Sequence, residues 1–157
     1  MRQNDQFLLK NAISAFKKND FLEAITYLKS ILFEKPENIN TIFELGIALI
    51  KIKNYAAAIH VFNSITAFYP KDVKSLFNLG VIYSLQGNYH LALKVYETAS
   101  EIEPNDIDLL LNLACAYIDT CKFDSALIKL DKIIESKPEY LSAWLNKGIV
   151  LHHLGFL

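Results

Sequence analysis

A chain of 157 residues that is 52% hydrophobic is long enough to bury a core, either as one domain or as a short array. Its 16 Lys+Arg against 17 Asp+Glu leave a formal net charge of −1, without the clustered basic excess that a nucleic-acid binder uses to neutralise phosphates. Lys17, Lys18, Lys51 and Lys53 recur, but with acids interleaved, and read as solvated faces.

Two cysteines, Cys115 and Cys121, are too few for a disulfide framework and lack the paired spacing of a zinc site. They point to a reduced, cytoplasmic setting. The N-terminal MRQNDQFLLKN has polar residues where a signal peptide needs an unbroken apolar core. No window holds the uncharged apolar stretch of a membrane span, and the run around 42–52 is broken by Glu44 and Lys51. The chain therefore reads as soluble, with no membrane span.

The frame shows in the only four prolines, Pro36, Pro70, Pro104 and Pro138, whose numbers rise by a constant 34. A fixed period of this size signals a repeat array. Starting each unit three residues after a proline gives repeats 5–38, 39–72, 73–106 and 107–140, a partial unit 141–157 and a leader 1–4, all in one array. In the first repeat Ala12 holds the eighth place of a first helix, although Asn11 stands where the next three repeats have leucine. Asn19-Asp20-Phe21 makes a turn, with Asp20 and Glu23 at capping-box spacing, and a second helix carries Ala24, Leu28 and Ile31.

The second repeat has Ile42, Leu45, Gly46 and Leu49 on one helical face, a turn at Asn54-Tyr55, then Ala58, Phe62 and Ile65. The third has Leu76, Leu79, Gly80 and Tyr83, then Gly87-Asn88-Tyr89, then Ala92, Tyr96 and Ala99. The fourth has Leu110, Leu113, Ala114 and Tyr117, then Lys122-Phe123, then Ala126, Leu130 and Ile133. The fifth begins with Trp144, Gly148 and Leu151. A glycine inside a helix costs about 1 kcal/mol relative to alanine. A small residue returning at one register is therefore expected where a neighbouring helix presses on the backbone. Each proline stops a second helix, and Asn38, Asp72 and Asp106 stand as N-caps for the next. Tyr140 breaks that pattern, so the last helix is expected to be less well capped.

With these residues in register the chain resembles the tetratricopeptide repeat family over almost its whole length. The third repeat carries the family's packing signature most fully, at Leu76, Leu79, Gly80, Tyr83, Tyr89, Ala92, Tyr96, Ala99 and Pro104. The resemblance implies an all-α, right-handed superhelical solenoid of antiparallel helix pairs, with four full repeats and one terminal helix. First helices would line a groove, and stability would be a sum over neighbouring repeats. It also implies a non-catalytic protein–protein interaction module whose partner is a protein or peptide.

By the family's geometry the groove-facing sixth place reads Lys10, Glu44, Asn78, Asn112 and Asn146. Three amides in successive repeats form a ladder that offers donors and acceptors to the backbone of an extended peptide, as in related superhelical members such as the receptor half of O-linked N-acetylglucosamine transferases. Asparagine is also common there without a ligand. The fifth place (Leu9, Phe43, Phe77, Leu111, Leu145) and the ninth (Ile13, Ile47, Val81, Cys115, Ile149) are apolar, joined by Phe16, Ile50 and Ile118 at the twelfth. Such a strip suits an extended peptide or an amphipathic helix, unless curvature or an N-terminal segment covers it. Lys74 and Asp108, with Gln6, Asn40 and Ser142, form a polar rim at the second place that could set register.

The apolar fifth and ninth places exclude the lysine–asparagine clamp with which co-chaperones of this family hold a C-terminal carboxylate. Catalysis, a metal site and a cofactor lack support: no phosphate loop, zinc-protease histidine pair or nucleophile elbow is present. Adjacent His152 and His153 do not share a helical face, and Cys115 has no base beside it.

The C-terminal LSAWLNKGIVLHHLGFL supplies a first helix without a second. Lys147, where inner repeats have leucine, suits a capping helix, whereas Val150, Leu154, Phe156 and Leu157 are expected to face outward, as in an array that once continued or an end buried against another chain. This leaves a second reading open: a self-assembling or accessory segment of a larger glycosyltransferase-like or secretion system. It would act through its C-terminal face, possible homo-oligomers pairing end to end.

Overall fold

The computed structural model describes residues 3–156, with side chains from residue 6 onward. Among the described residues there are nine helices and no strand: α1 (Gln3–Lys17), α2 (Phe21–Glu34), α3 (Ile39–Lys51), α4 (Tyr55–Phe68), α5 (Val73–Leu85), α6 (Tyr89–Ile102), α7 (Ile107–Asp119), α8 (Phe123–Ser136) and α9 (Leu141–His153). The chain forms two compact units, Met1–Ser75 and Leu76–Leu157. In the first, α1, α2, α3 and α4 pack in chain order; in the second, α6, α7, α8 and α9 do the same. The fold is all-α, built of consecutive helix pairs as expected. Helices α3, α5, α7 and α9 begin one full repeat apart, at Ile39, Val73, Ile107 and Leu141.

One turn closes every first helix. Asn19, Lys53, Gly87, Cys121 and Gly155, spaced by the same period, all have positive φ, between 58° and 80°. The N–H of each donates to the carbonyl three residues back, as Cys121 does to Ile118 at 2.9 Å. The following N–H donates five residues back: Asp20 to Ala15 at 2.9 Å, Asn88 to Tyr83 at 2.8 Å, Lys122 to Tyr117 at 2.8 Å. This is the Schellman closure, in which a left-handed residue folds the chain back over the last orphan carbonyls. In the first four turns the residue that donates the longer bond is already the N-cap of the next helix. The side chains of Asp20 and Asn54 accept from the backbone N–H of Glu23 and Ala57, whereas Asn88 and Lys122 make no such bond.

Between pairs, the side chains of Asn38, Asp72 and Asp106 accept from the N–H of Thr41, Ser75 and Leu109 at 2.8–3.2 Å. Tyr140 makes no capping bond, as expected from its side chain.

The helix pairs close on a ring set against a glycine. In the first unit Phe62 is fully buried, and a Cβ added to Gly46 would stand 2.6 Å from its ring. In the second unit Tyr96 is equally buried, and a Cβ on Gly80 would stand 2.4 Å from that ring. Where the second helix offers leucine instead, at Leu28 and Leu130, the first helix carries Ala12 and Ala114. Phe43 and Phe77 then meet the two rings edge-on, at centroid distances of 5.5 and 6.0 Å. Gly148 differs from its counterparts, because a Cβ there meets nothing within 4 Å.

These contacts set opposite signs for one substitution. Gly80→Ala should destabilise the chain by about 1–3 kcal/mol, since the enclosed Tyr96 ring has no room to retreat. Gly148→Ala should stabilise it by about 0.5–1 kcal/mol through helix propensity alone. Equilibrium urea unfolding reads both. Cys121→Gly should add about 0.5–1 kcal/mol by relieving a side chain held at φ 58°.

Candidate functional site

The first helices carry the residues that sequence periodicity assigns to a binding wall. In the first unit, α1 and α3 flank a cavity of about 600 Å³ lined by Leu9, Ala12, Ile13, Phe16, Lys17, Leu28, Asn38, Asn40, Thr41 and Glu44. Leu9 and Ile13 are 36% and 48% exposed, and Phe16 is held edge-on against Phe21 at 5.8 Å. Lys17 and Glu44 bring one positive and one negative group to an otherwise apolar lining. Phe43 and Ile47 are half-buried, Phe43 being drawn into packing on Phe62. Lys74 is exposed at the start of α5.

In the second unit Phe77, Val81 and Leu111 are likewise half-buried, Phe77 against Tyr96 and Leu111 against the core around Leu110, Leu130 and Ile133. Leu145 and Ile149 on α9 stay exposed. The strip is thus partly consumed by packing in the middle repeats and open on α1 and α9. Periodicity assigned Leu9 and Ile13 to the same strip as Phe43 and Ile47, but it carried no signal for which pair packs inward.

Asn78, Asn112 and Asn146 are all half-buried. The Asn112 side-chain amide donates to the Asp108 carbonyl at 2.8 Å, and that of Asn146 to the Ser142 carbonyl at 2.9 Å. Each amide is tethered to its own helix, which leaves its oxygen and second N–H for other partners. The Asp108 carboxylate is exposed and accepts from the Tyr140 hydroxyl at 3.4 Å.

Burial governs the titratable groups on the same helices. It pushes the half-buried Cys115 thiol above its ordinary pKa, and the negative charge of Asp119 adds to the rise. A thiol so placed is a poor nucleophile at neutral pH. The Tyr117 phenol is pushed up to about 12, first by burial and then by its bond to Glu97 at 2.9 Å. Tyr96 rises further through burial; Ser84 lies close enough to offset part of that but makes no hydrogen bond of good geometry, leaving the phenol unpartnered.

At the C-terminal end one expectation needs correction. Val150 is completely buried in the core with Ala143, Ala126 and Leu130, so it offers nothing to a second chain. Its register held the signal, because Ala48, Ile82 and Ala116 at the same place of earlier repeats are buried too. Leu154 packs partly against that core, Phe156 is exposed, and Leu157 lies outside the described residues. Lys147 pairs with Asp131 at 2.6 Å and lies 5.7 Å from the Trp144 ring centroid. Among the described residues no group of three or more His, Cys, Asp or Glu stands ready for a metal, and no helix is long and apolar enough to cross a membrane.

Sequence profiles described as tetratricopeptide repeat match residues 15–79 and 73–106. No curated protein sequence matches the chain. Among solved structures, MamA (residues 41 to the end) from Desulfovibrio magneticus RS-1 is similar with a TM-score of 0.91 at 20% identity, over 99% of this chain and 88% of that one. A MamA RS-1 double mutant gives 0.89 at 20% identity, over 98% and 86%. A tetratricopeptide repeat protein from Parabacteroides merdae ATCC 43184 gives 0.91 at 22% identity, over 98% of this chain and 61% of that one. At such identities the likeness is one of fold.

The thiols should separate cleanly in alkylation. Cys121 is exposed in its turn, while Cys115 is half-buried with its thiolate disfavoured. Iodoacetamide at pH 8 should therefore modify Cys121 at least ten times faster, as read by peptide mass spectrometry, and the gap should narrow as urea unfolds the chain.

Proposed function

The chain belongs to the tetratricopeptide repeat family, and from that premise we propose that it binds a protein partner as an extended peptide or amphipathic helix laid along its first helices. The family is one of protein-interaction scaffolds, so the broad function is that of an interaction module. The finer reading rests chiefly on one observation: the cavity of about 600 Å³ between α1 and α3, where Leu9 and Ile13 remain exposed beside Lys17 and Glu44. Burying an aliphatic side chain contributes about 1.5–3 kcal/mol, and the two together supply the apolar anchors of a groove that takes a peptide or helix. In the second unit the tethered amides of Asn112 and Asn146, with exposed Leu145 and Ile149, are suited to a peptide backbone and to further apolar side chains of the ligand.

Affinity capture with the intact chain, followed by mass spectrometry, supplies the partner for titration. Leu9→Glu with Ile13→Glu should weaken that partner at least tenfold while far-UV circular dichroism stays unchanged, because both side chains already face solvent. Lys29→Glu at an exposed position of α2 should leave affinity within twofold. Full affinity in the double variant would place binding away from the α1–α3 cavity.

A further inference from the structure

We propose that the aromatic pair Phe68 and Tyr69, where α4 ends, is a docking ridge for a proline-rich segment of a partner protein, held in the polyproline II conformation and carrying a basic residue at one end. The other repeats place Glu34-Lys35, Ile102-Glu103 and Ser136-Lys137 there. The second repeat instead exposes two consecutive rings, Phe68 at 82% and Tyr69 at 52%. Its helix α4 holds no Lys, Arg, Asp or Glu, whereas α2, α6 and α8 all carry several. Repeats precede and follow this ridge. A further repeat at either end of the chain stacks on α1 or α9, because each repeat contacts only its neighbours, so the exposure here does not depend on where the chain stops.

The relief around the two rings selects this occupant. Two recesses of about 480 and 620 Å³ adjoin the ridge, and Ile39, Ile65, Phe68 and Tyr69 line both. Glu37 and Ile42 belong to the first recess only, Pro70 and Lys71 to the second. An amphipathic helix needs one continuous groove for its anchors. A polyproline helix has three residues per turn, so its side chains at i and i+3 share an edge and can straddle a ridge between two recesses. The Tyr69 backbone is already fixed, its N–H donating to the Ile65 carbonyl at 2.8 Å and its carbonyl accepting from the Asp72 N–H at 3.0 Å. A group ordered beforehand loses little entropy when a partner covers it. The Tyr69 hydroxyl has no partner among the described residues, which leaves a donor for the unbonded carbonyls of a polyproline segment. Glu37 and Lys71 are exposed, and neither makes an ion pair among the described residues. A segment with a basic residue beside Glu37 and an acidic one beside Lys71 complements both, and the two charges set its direction. The chain's own four prolines each stand at the end of a second helix, so the segment is not one of theirs.

The probe is a fluorescein-labelled peptide of three Pro-Pro-Ala triplets between an N-terminal arginine and a C-terminal glutamate, together with a second peptide in which the two charged residues change places. Fluorescence polarisation with the full chain should show saturable binding of one of them, weakened at least tenfold when its prolines become glycines. Phe68→Glu with Tyr69→Lys gives the ridge the residues that the first repeat already carries at those places, so the fold accepts them. This double variant should lose at least tenfold in affinity with far-UV circular dichroism unchanged. Glu37→Lys should weaken the same peptide at least threefold, and exchanging the peptide's arginine for glutamate should recover the loss. Four results would overturn the proposal: no saturable binding of either peptide, equal affinity for the glycine peptide, full affinity in the double variant, or full affinity in Glu37→Lys. It falls equally if light scattering shows that the chain alone pairs and that the double variant dissolves the pair, since a second copy is then the occupant.

Discussion

The contact on which the other packing depends is a buried ring seated on a bare stretch of helix backbone. Phe62 on Gly46 and Tyr96 on Gly80 bring paired helices closer than any side chain at that place would allow. A glycine within a helix costs about 1 kcal/mol of propensity, and the enclosed ring offsets it with apolar burial worth more than that. The two rings also hold Phe43 and Phe77 edge-on, so the same contact that closes each pair fixes part of the first-helix wall. Substitution at the ring follows size: where leucine replaces the aromatic, alanine replaces the glycine. Phe62 and Tyr96 differ only in a hydroxyl, and the buried Tyr96 phenol makes no hydrogen bond, so the site selects a flat apolar body and merely tolerates the oxygen.

Much of this architecture was legible because its signals are chemical identities repeated at one spacing. Four evenly spaced prolines, a small residue at the eighth place and an alanine at the start of each second helix all name their own positions. The turn was less legible, because its requirement is conformational. Asn19, Lys53, Gly87, Cys121 and Gly155 share a positive φ but no side-chain chemistry, and the hydrogen bonds that close the turn are entirely backbone. Tyr140 shows the opposite case, where the absence of a capping group was plain from its side chain. The burial of Val150 is hard to read from the last helix alone; Ala48, Ile82 and Ala116 show that its register packs inward on α3, α5 and α7, whereas Ser14 on α1 stays exposed. The candidate site was legible only as a set of faces. Asparagine in a helix has its own i−4 carbonyl within reach, and periodicity does not say whether the amide turns there or toward a ligand; Asn112 and Asn146 turn there.

That difference decides where binding energy can come from. A wall of apolar residues gains affinity only from area still in contact with water, at roughly 25 cal/mol per Å². Phe43, Ile47, Phe77, Val81 and Leu111 have already committed most of theirs to internal packing, so a ligand laid over them gains shape complementarity and little transfer energy. Leu9 and Ile13 in the first unit, and Leu145 and Ile149 in the second, retain theirs. The amides add direction more than strength: a net hydrogen bond contributes about 0.5–1.5 kcal/mol, and each tethered asparagine has one N–H fewer to offer. Selectivity then falls to the few charges near the apolar anchors, Lys17 and Glu44 in one unit and Asp108 in the other, where an unmatched ligand charge would be desolvated without a partner. On the proposed reading, a module of this composition would hold many apolar segments weakly and would discriminate among them by which ones place opposite charges beside Lys17 and Glu44.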